Sequence, residues 1–274
     1  NIIFHLAAQP LVIDSYIKPI DTFNINVNGT INILDIVRSC NSVKSLIIVT
    51  SDKCYENINK KAGYAETDKL GGSDPYSASK AATELVVNSY YKSFFKDKIK
   101  CGISSVRAGN VIGGGDWSKN RLIPDCIRSL SKNKEIFLRN PSFTRPWQHV
   151  LEPLKGYLVL AKKQYENPYK FSGAWNFGSN PNSIVSVKKI TGLITKFWGS
   201  GRIKSKKNKF LEQSFLQIRS DKSKKFLKWK PKFNVNMAVK VTVDWYYNVV
   251  KKKTNPILIT NQQIKEYMFN NKKK

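Results

Sequence analysis

Acidic residues are scarce in this chain. Its 274 residues include 19 Asp and Glu against 47 Lys and Arg, a formal net charge of +28 at pH 7. A charge this high raises the question of a nucleic-acid partner. The basic clusters, however, contain no basic recognition helix and no known nucleic-acid motif. We therefore expect a lysine-rich surface and no nucleic-acid partner, with a positive potential that favours pyrophosphate-bearing ligands. The clusters span 204–209, 222–232, 251–253 and 272–274.

Cysteine is also rare. The four cysteines lie far apart, form no Cys-x-x-Cys pair and have no histidine at metal-ligand spacing. This spacing argues against a structural zinc site. We expect no bound metal, and free, mostly buried thiols, as in a protein of the reducing cytoplasm. The cysteines are Cys40, Cys54, Cys101 and Cys126.

Long apolar runs are missing. No stretch approaches the roughly 18 to 20 apolar residues of a membrane helix, so no membrane span is expected. Residues 1–5 carry no basic flank and no initiator Met, which argues against a signal peptide and is typical of the interior of a longer protein. A length of 274 residues suits one large domain or two lobes.

What the chain does have is an alternation of short apolar runs with longer amphipathic segments. Apolar β-branched runs predict buried strands, and 3.6-residue spacing predicts helices. Strands alternating with helices across short loops predict an α/β protein with a doubly wound parallel sheet. The lysine-rich tail 251–274 is expected to be flexible. Strands are predicted at 2–6, 45–50, 102–107 and 174–177, and helices at 21–39, 75–90, 124–130, 152–163, 185–198 and 236–250.

The strand at 45–50 is followed by Ser51, Asp52 and Lys53. Open α/β sheets bind ligands at the carboxyl ends of their strands. A partly desolvated Asp52 at that position could act as a general acid. Lys53 would be a base only if burial or nearby positive charge lowered its pKa. From the residues alone, a solvated loop lysine is the favoured interpretation of Lys53.

Tyr76 and Lys80 stand four residues apart at the start of the next predicted helix, and therefore on one face of it. An ammonium beside a phenol stabilises the phenolate and lowers the phenol pKa from about 10. Tyr76 then becomes a usable base near neutral pH. The pattern Tyr-x-x-x-Lys is common by itself. Its position after the candidate active strand is what favours a functional pair.

Two weaker signals lie near the N-terminus. Ala7 and Ala8 follow the first strand, where small residues allow close approach of a ligand or simply form a tight turn. Asn26 falls inside a predicted helix, where asparagine is unfavourable. A buried polar role for Asn26 is one of two open interpretations.

Two further signals lie later in the chain. The guanidinium of Arg145 offers a planar fork for a phosphate, or a salt bridge to Glu152 or Asp125. The glycine run 113–115 follows a strand, but it is not the dinucleotide-binding fingerprint.

Together these segments resemble the extended short-chain dehydrogenase/reductase family, and within it the NAD-dependent sugar-nucleotide epimerases and 4,6-dehydratases. The specific segments are Ser-Asp-Lys at 51–53 and Arg-Pro-Trp-Gln-His-Val at 145–150. Family members acting on dTDP-glucose usually carry Thr-Asp-Glu at the triplet, so the resemblance is to the branch that acts on CDP-glucose. It covers residues 1 to about 250. Other matching segments are 5–11, 26–30, 72–80, 106–117, 139–141 and 175–178.

The resemblance implies an internal redox reaction with tightly held NAD, in which CDP-glucose or a related nucleotide sugar becomes a 4-keto-6-deoxy sugar for deoxysugar, lipopolysaccharide and O-antigen synthesis. Tyr76, poised by Lys80 and assisted by Ser51, would deprotonate the sugar 4-hydroxyl. Lys53 would remove the C5 proton while Asp52 protonates the leaving 6-hydroxyl. By resemblance, the cofactor-binding residues are Ala7, Ala8, Asn26, Tyr76, Lys80 and Arg107, and the substrate-binding residues are Asn110, Leu122, Arg145 and Glu212. A cytoplasmic homodimer or higher homo-oligomer is likewise expected by resemblance only.

One departure from the family concerns the start of the fold. The family's first strand and its Gly-x-x-Gly-x-x-Gly turn are missing, and the first strand present resembles the family's fourth. That turn normally cradles the pyrophosphate at a helix N-terminus. We therefore expect an N-terminally truncated Rossmann-like sheet, and a 274-residue chain that alone binds NAD poorly and shows little activity.

The expected domains follow from the same resemblance. A partial NAD-binding domain spans 1–113, with 148–178 returning to it. A smaller α/β lobe for the sugar nucleotide spans 114–147 and 179–250. Two alternatives stay open: another sugar-nucleotide epimerase or dehydratase of the same fold, and a non-catalytic fragment that binds a partner or polyanion.

Overall fold

A computed structural model describes residues 1–96, 101–205 and 216–269. The chain divides into two compact units. The first comprises Asn1–Gly109, Pro153–Gly178 and Leu216–Lys230, and the second Asn110–Glu152, Ser179–Phe215 and Pro231–Lys274. The strands are β1 (Ile2–His5), β2 (Ser45–Val49), β3 (Gly102–Ala108), β4 (Asn110–Ile112), β5 (Ile136–Leu138), β6 (Thr144–His149), β7 (Gly173–Phe177), β8 (Ile184–Ser186) and β9 (Ile203–Ser205).

The helices complete the inventory of the described residues. They are α1 (Val12–Ile17), α2 (Pro19–Phe23), α3 (Gly29–Ser39), α4 (Pro75–Tyr90), α5 (Leu122–Ser131), α6 (Leu151–Glu166), α7 (Pro168–Phe171), α8 (Val187–Trp198), α9 (Asp221–Leu227), α10 (Val235–Val250) and α11 (Pro256–Phe269). Short π-helices lie at Asn24–Asn28 and Tyr91–Phe95, and 3-10 turns at Asp52–Cys54 and Pro181–Ser183.

The first unit is built on a parallel sheet with strand order β1-β2-β3-β7. Leu46 and Ile48 of β2 pack with α3 and α4 residues in one apolar cluster. Ile47, between them, packs on the other face with residues of α6. Both faces of β2 are therefore covered, which is why its sequence is apolar without alternation. The predicted doubly wound parallel sheet is confirmed.

Two small sheets and one apolar cluster organise the second unit. Strand β6 pairs in parallel with β4 and antiparallel with β8, while β5 pairs in parallel with β9. The cluster is formed mainly by the apolar faces of α5, α8 and α10. Strand β9 includes Lys204 and Ser205, the first two residues of the basic cluster 204–209. Residues 206–209 fall outside the described part of the chain.

Residues 216–230 belong to the first unit, although the sequence placed them in the substrate lobe. Backbone hydrogen bonds join Tyr64 to Gln217 and to Arg219, each at 2.8 Å. Ser220 Oγ accepts a hydrogen bond from the backbone N–H of Gly178 at 2.7 Å. Contacts so distant in sequence leave no local pattern, which explains the difference.

The tail also differs from its expectation. Residues 256–269 form α11, so the prediction of a flexible tail is wrong for this segment. Ile259 and Tyr267 of α11 are buried, and Trp245 Nε1 donates a 2.8 Å hydrogen bond to Thr260 Oγ1. These contacts fasten α11 to α10. No helix in the described part of the chain has the length and hydrophobicity needed to cross a membrane.

Candidate active site

A short 3-10 turn follows β2 directly and carries the predicted triplet. Ser51 is the N-cap of the turn, and its Oγ accepts a hydrogen bond from the backbone N–H of Lys53 at 3.2 Å. The same hydroxyl donates to Asp52 Oδ1 at 3.1 Å. Serine is a favoured N-cap because its oxygen satisfies an otherwise unpaired N–H. Ser51 and Asp52 are buried, and Lys53 is half-buried.

Helix α4 presents Tyr76 and Lys80 on one face. Its start is set by Pro75 in the first turn and by Asp74, whose carboxylate accepts from the N–H and hydroxyl of Ser77. The backbone N–H of Tyr76 donates to Ser15 Oγ at 3.1 Å. Tyr76 and Lys80 are 8% and 4% exposed, so both are shielded from water.

Lys80 connects α4 to the carboxyl end of β2. Its Nζ donates a hydrogen bond to the carbonyl oxygen of Val49 at 3.2 Å, two residues before Ser51. Burial lowers the pKa of Lys80 to about 8, against the opposing charge of Glu84. The structure therefore brings the amine of Lys80 to the strand end that carries the Ser51 turn, with the ammonium still predominant at pH 7.

Asn26 binds the loop that follows β1 and contains Ala7 and Ala8. Asn26 is buried; its Oδ1 accepts from the N–H of Gln9 at 2.8 Å, and its Nδ2 donates to Ser79 Oγ at 2.9 Å. The loop containing Ala7 and Ala8 is thus tied to α4. Because β1 and β2 are parallel neighbours, this loop and the Ser51 turn lie at the same edge of the sheet. The buried polar interpretation of Asn26 is the one the structure shows.

Arg107 differs from its expected role as a cofactor contact. It is 2% exposed, and its Nε and Nη2 bind the carboxylate of Glu84 at 2.8 and 2.6 Å. Its Nη1 donates to Tyr55 Oη at 2.6 Å and to the carbonyl of Glu66 at 3.3 Å. The guanidinium of Arg107 therefore donates its hydrogen bonds to buried protein acceptors. This arrangement does not support direct contact of Arg107 with a cofactor.

Sequence reasoning missed Glu84 and Thr50, which form a hydrogen bond of 2.5 Å between α4 and the end of β2. One feature of the sequence could have indicated Glu84. Glu84 lies four residues after Lys80, on the helical face that already carried the candidate pair.

The predicted substrate contacts in the second unit lie on three of its elements. Asn110 begins β4, Leu122 begins α5, and both are half-buried. Arg145 lies on β6, where its Nη1 donates to the carbonyl of Thr144 at 3.0 Å and its guanidinium stacks on the Phe143 ring at 5.6 Å. Glu212 lies outside the described residues. These four roles stay predictions.

Within the described ranges, no group of three or more His, Cys, Asp or Glu side chains is arranged to hold a metal ion. All four cysteines are free thiols. The groups that the sequence predicted for catalysis are the Ser51 hydroxyl, the Asp52 carboxyl, the Lys53 and Lys80 amines and the Tyr76 phenol.

The parallel sheet, with Tyr76 and Lys80 beside its carboxyl edge, defines an α/β protein of the short-chain dehydrogenase/reductase type. The chain belongs to the GDP-mannose 4,6 dehydratase family, whose sequence model matches residues 1–242. It is 40% identical over 274 residues to CDP-glucose 4,6-dehydratase of Salmonella typhimurium, covering 98% of this chain and 76% of that protein. Human dTDP-D-glucose 4,6-dehydratase is 25% identical over 252 residues, covering 90% and 68%.

Solved structures of dTDP-glucose 4,6-dehydratases have the same fold. The Bacillus anthracis enzyme, in complex with NAD, matches with a TM-score of 0.74 and 22% identity, over 90% of this chain and 72% of that one. DesIV from Streptomyces venezuelae, with NAD and TYD bound, matches with a TM-score of 0.78 and 19% identity, over 94% and 76%. The predicted Rossmann-like α/β class is confirmed.

Proposed function

We propose that this chain carries the catalytic residues of an NAD-dependent dehydratase that converts CDP-glucose to CDP-4-keto-6-deoxyglucose. The observation that supports this proposal is that two sets of functional groups lie near the carboxyl end of strand β2. The buried Tyr76 and Lys80 suit oxidation of an alcohol, and the Ser51–Lys53 turn suits elimination of water. The hydrogen bond from Lys80 to Val49 joins them. The 40% identity to a CDP-glucose 4,6-dehydratase supports the choice of substrate.

Each residue then has a defined proton to hold or move. Tyr76 takes the proton of the sugar 4-hydroxyl, because the Lys80 ammonium stabilises its phenolate. Ser51 donates a hydrogen bond to the same sugar oxygen. The 4-keto group acidifies the C5–H, so Lys53 removes that proton while Asp52 protonates the 6-hydroxyl, which leaves as water. Lys53 returns a proton to C5 when C6 is reduced.

The surroundings of Lys80 fit a nicotinamide cofactor. The ammonium of Lys80 has three N–H donors. Within the described residues, the hydrogen bond that it makes is to the carbonyl oxygen of Val49. The remaining donors are buried and suit ribose hydroxyls, while Ala7, Ala8 and Asn26 are further proposed contacts. NAD, when bound, supplies the hydride acceptor for C4 and the hydride donor for C6.

The remaining parts of the proposal concern the nucleotide and the assembly. We assign Asn110, Leu122, Arg145 and Glu212 to the sugar nucleotide, with the Arg145 guanidinium on a phosphate. A homodimer or higher homo-oligomer acting in the cytoplasm completes the proposal. The four free thiols are consistent with a reducing compartment.

The test measures, in one reaction, the transfer of deuterium within the sugar and the loss of water from it. CDP-glucose deuterated at C4 is incubated with the chain and saturating NAD, and the nucleotide sugar is analysed by mass spectrometry and NMR. The expected product has lost one water and carries deuterium at C6. Asp52→Asn and Lys53→Met should each lower the elimination rate ~10²-fold or more. Lys69→Met is the matched control, because the Lys69 side chain is 77% exposed.

Three outcomes contradict the proposal. If neither substitution slows water loss, the dehydratase assignment fails. Inversion at C4 without water loss would establish the epimerase alternative. Salt-steep DNA binding without affinity for NAD or CDP would favour a non-catalytic fragment that binds polyanions.

A further inference from the structure

The carboxylate of Glu84 is buried one helical turn beyond Lys80. Its Oε1 accepts from Thr50 Oγ1 at 2.5 Å and from Arg107 Nε at 2.8 Å. Its Oε2 accepts from Ser105 Oγ and from Arg107 Nη2, both at 2.6 Å. A carboxylate offers about four lone-pair sites, so these four donors satisfy it fully. One side chain of α4 is thereby bonded to the residue that follows β2 and to two residues of β3.

Glu84 is charged in this setting. Burial alone would raise the pKa of Glu84, but the hydrogen bonds and charge of Arg107, together with Ser105 and Thr50, hold it below its ordinary value. Arg107 continues the network through Tyr55, whose hydroxyl donates to Asn176 Oδ1 at 2.8 Å. A buried ion pair is weak grounds for stability, since well-packed apolar groups frequently replace such pairs at no cost. Because the Glu84–Arg107 ion pair lies next to the candidate active site, we expect a role of Glu84 other than stability.

We propose that Glu84 is a positioning residue that holds the Ser51 turn and the Tyr76–Lys80 face of α4 in one fixed geometry. Thr50 immediately precedes Ser51, so the Thr50–Glu84 bond fixes where the turn begins. The same helix carries Lys80 four residues before Glu84. The inference rests on the proposed function of Tyr76 and Lys80, for which displacement of a proton-transfer group by ~1 Å can cost ~10²-fold in rate.

Glu84 also acts on Lys80 through charge. Its carboxylate opposes the burial that lowers the pKa of Lys80. Replacing it with an amide would remove that anion and leave the Arg107 guanidinium uncompensated nearby. Both changes disfavour the ammonium form of Lys80. The titratable and charged groups on the elements around Lys80 are His5 on β1, Asp52 and Cys54 in the turn, Tyr76 and Glu84 on α4, and Arg107 on β3.

The test combines a measurement that needs only folded protein with one that needs turnover. The Lys80 amine is titrated by NMR in chains with isotope-labelled lysine, and Lys80→Arg identifies its resonance. Glu84→Gln should lower the pKa of Lys80 and lower kcat ~10–100-fold with KM nearly unchanged. Thr50→Val should lower kcat while leaving the pKa of Lys80 in place. Glu56→Gln, a change to a surface loop carboxylate, should alter neither.

Further variants separate the explanations. Glu84→Asp keeps the charge but shortens the arm, so it should keep the Lys80 pKa close to that of the unchanged chain and still lower kcat. It also replaces Glu84→Gln if that variant does not fold. An unchanged Lys80 pKa and kcat in a folded Glu84→Gln or Glu84→Asp chain overturns the inference. The two proposals fail separately: water loss that is not slowed in Asp52→Asn and Lys53→Met refutes the proposed function, whereas a Lys80 pKa that is unchanged in Glu84→Gln refutes the coupling of Glu84 to Lys80.

Discussion

The hydroxyl of Tyr267 donates a 2.8 Å hydrogen bond to Oε2 of Glu152, which lies 115 residues earlier in the chain. The same carboxylate accepts the backbone N–H groups of Lys232 and Phe233 at 2.8 and 2.7 Å. Both Glu152 and Tyr267 are buried. This carboxylate therefore fastens α11 to the segment before α10, within the second unit.

Tyr267→Phe should destabilise the protein by about 1–3 kcal/mol, because it removes one donor from a buried carboxylate and leaves the ring in place. The free energy of unfolding from urea denaturation measures the effect. Tyr169→Phe is the control, since Tyr169 is 61% exposed. Equal unfolding midpoints for the two variants would show that the Tyr267 bond contributes nothing.

His149 should make stability sensitive to acid. Burial lowers the pKa of His149 to about 4, and its Nε2 has no hydrogen-bond partner within the described residues. A histidine of the unfolded chain binds a proton below about pH 6.5, whereas folded His149 does so only near pH 4. Stability should therefore fall as the pH drops through this window, by ~3 kcal/mol in total.

The unfolding free energy of His149→Asn, measured at several pH values, tests this expectation. Asparagine can still accept the 3.3 Å bond that the N–H of Leu151 makes to His149 Nδ1. The variant should lose most of the slope between pH 6.5 and 4. His5→Asn, which removes the other histidine of the chain, should keep most of it. An identical slope in His149→Asn contradicts the assignment.

Lys80 should limit activity on the alkaline side. Its pKa of about 8 means that the ammonium that stabilises the Tyr76 phenolate is lost as the pH rises through that value. The kcat/KM of the unsubstituted chain, which reports the pKa values of the free enzyme, should therefore decline above about pH 8. Lys80→Arg keeps its charge at all these pH values, so its lower kcat/KM should lack that decline. An unchanged alkaline limb in Lys80→Arg would show that another group is responsible.

Gly178 should not tolerate a side chain. A Cβ there would lie 2.4 Å from the backbone oxygen of Ile218 and 3.1 Å from Ser220 Oγ. Gly178→Ala should cost about 1–3 kcal/mol and loosen residues 216–230, which faster proteolysis within that segment would reveal. Gly192 of α8 is the matched control, because a Cβ there meets nothing within 4 Å. Gly192→Ala should stabilise the protein by about 0.5–1 kcal/mol, so equal melting temperatures for both variants would contradict this account.

Local patterns predicted the elements that obey local rules. The apolar run predicted at 45–50 is the strand Ser45–Val49, and the helix predicted from residue 75 runs from Pro75 to Tyr90. The helix predicted at 236–250 is Val235–Val250. The start of α4 was predictable because proline suits the first turn of a helix.

Helix α11 was missed because its buried positions are few. Ile259 and Tyr267 are its buried residues, eight positions apart, and lysines follow them in the sequence. A segment with so few apolar positions on one helical face is typical of an exposed tail. The helix depends on Glu152 and Trp245, which no pattern within 256–269 reveals.

The sequence by itself determined the parallel α/β class and the four-residue spacing that places Tyr76 and Lys80 on one helical face, since both follow from periodicity within a short segment. Only the tertiary structure decided the bond of Lys80 to Val49, the commitment of Arg107 to Glu84, and the ionisation of Lys80, Glu84 and His149. The physical reason is that burial and charge partners, which shift a pKa away from the ordinary value of the residue type, come from segments far apart in the chain.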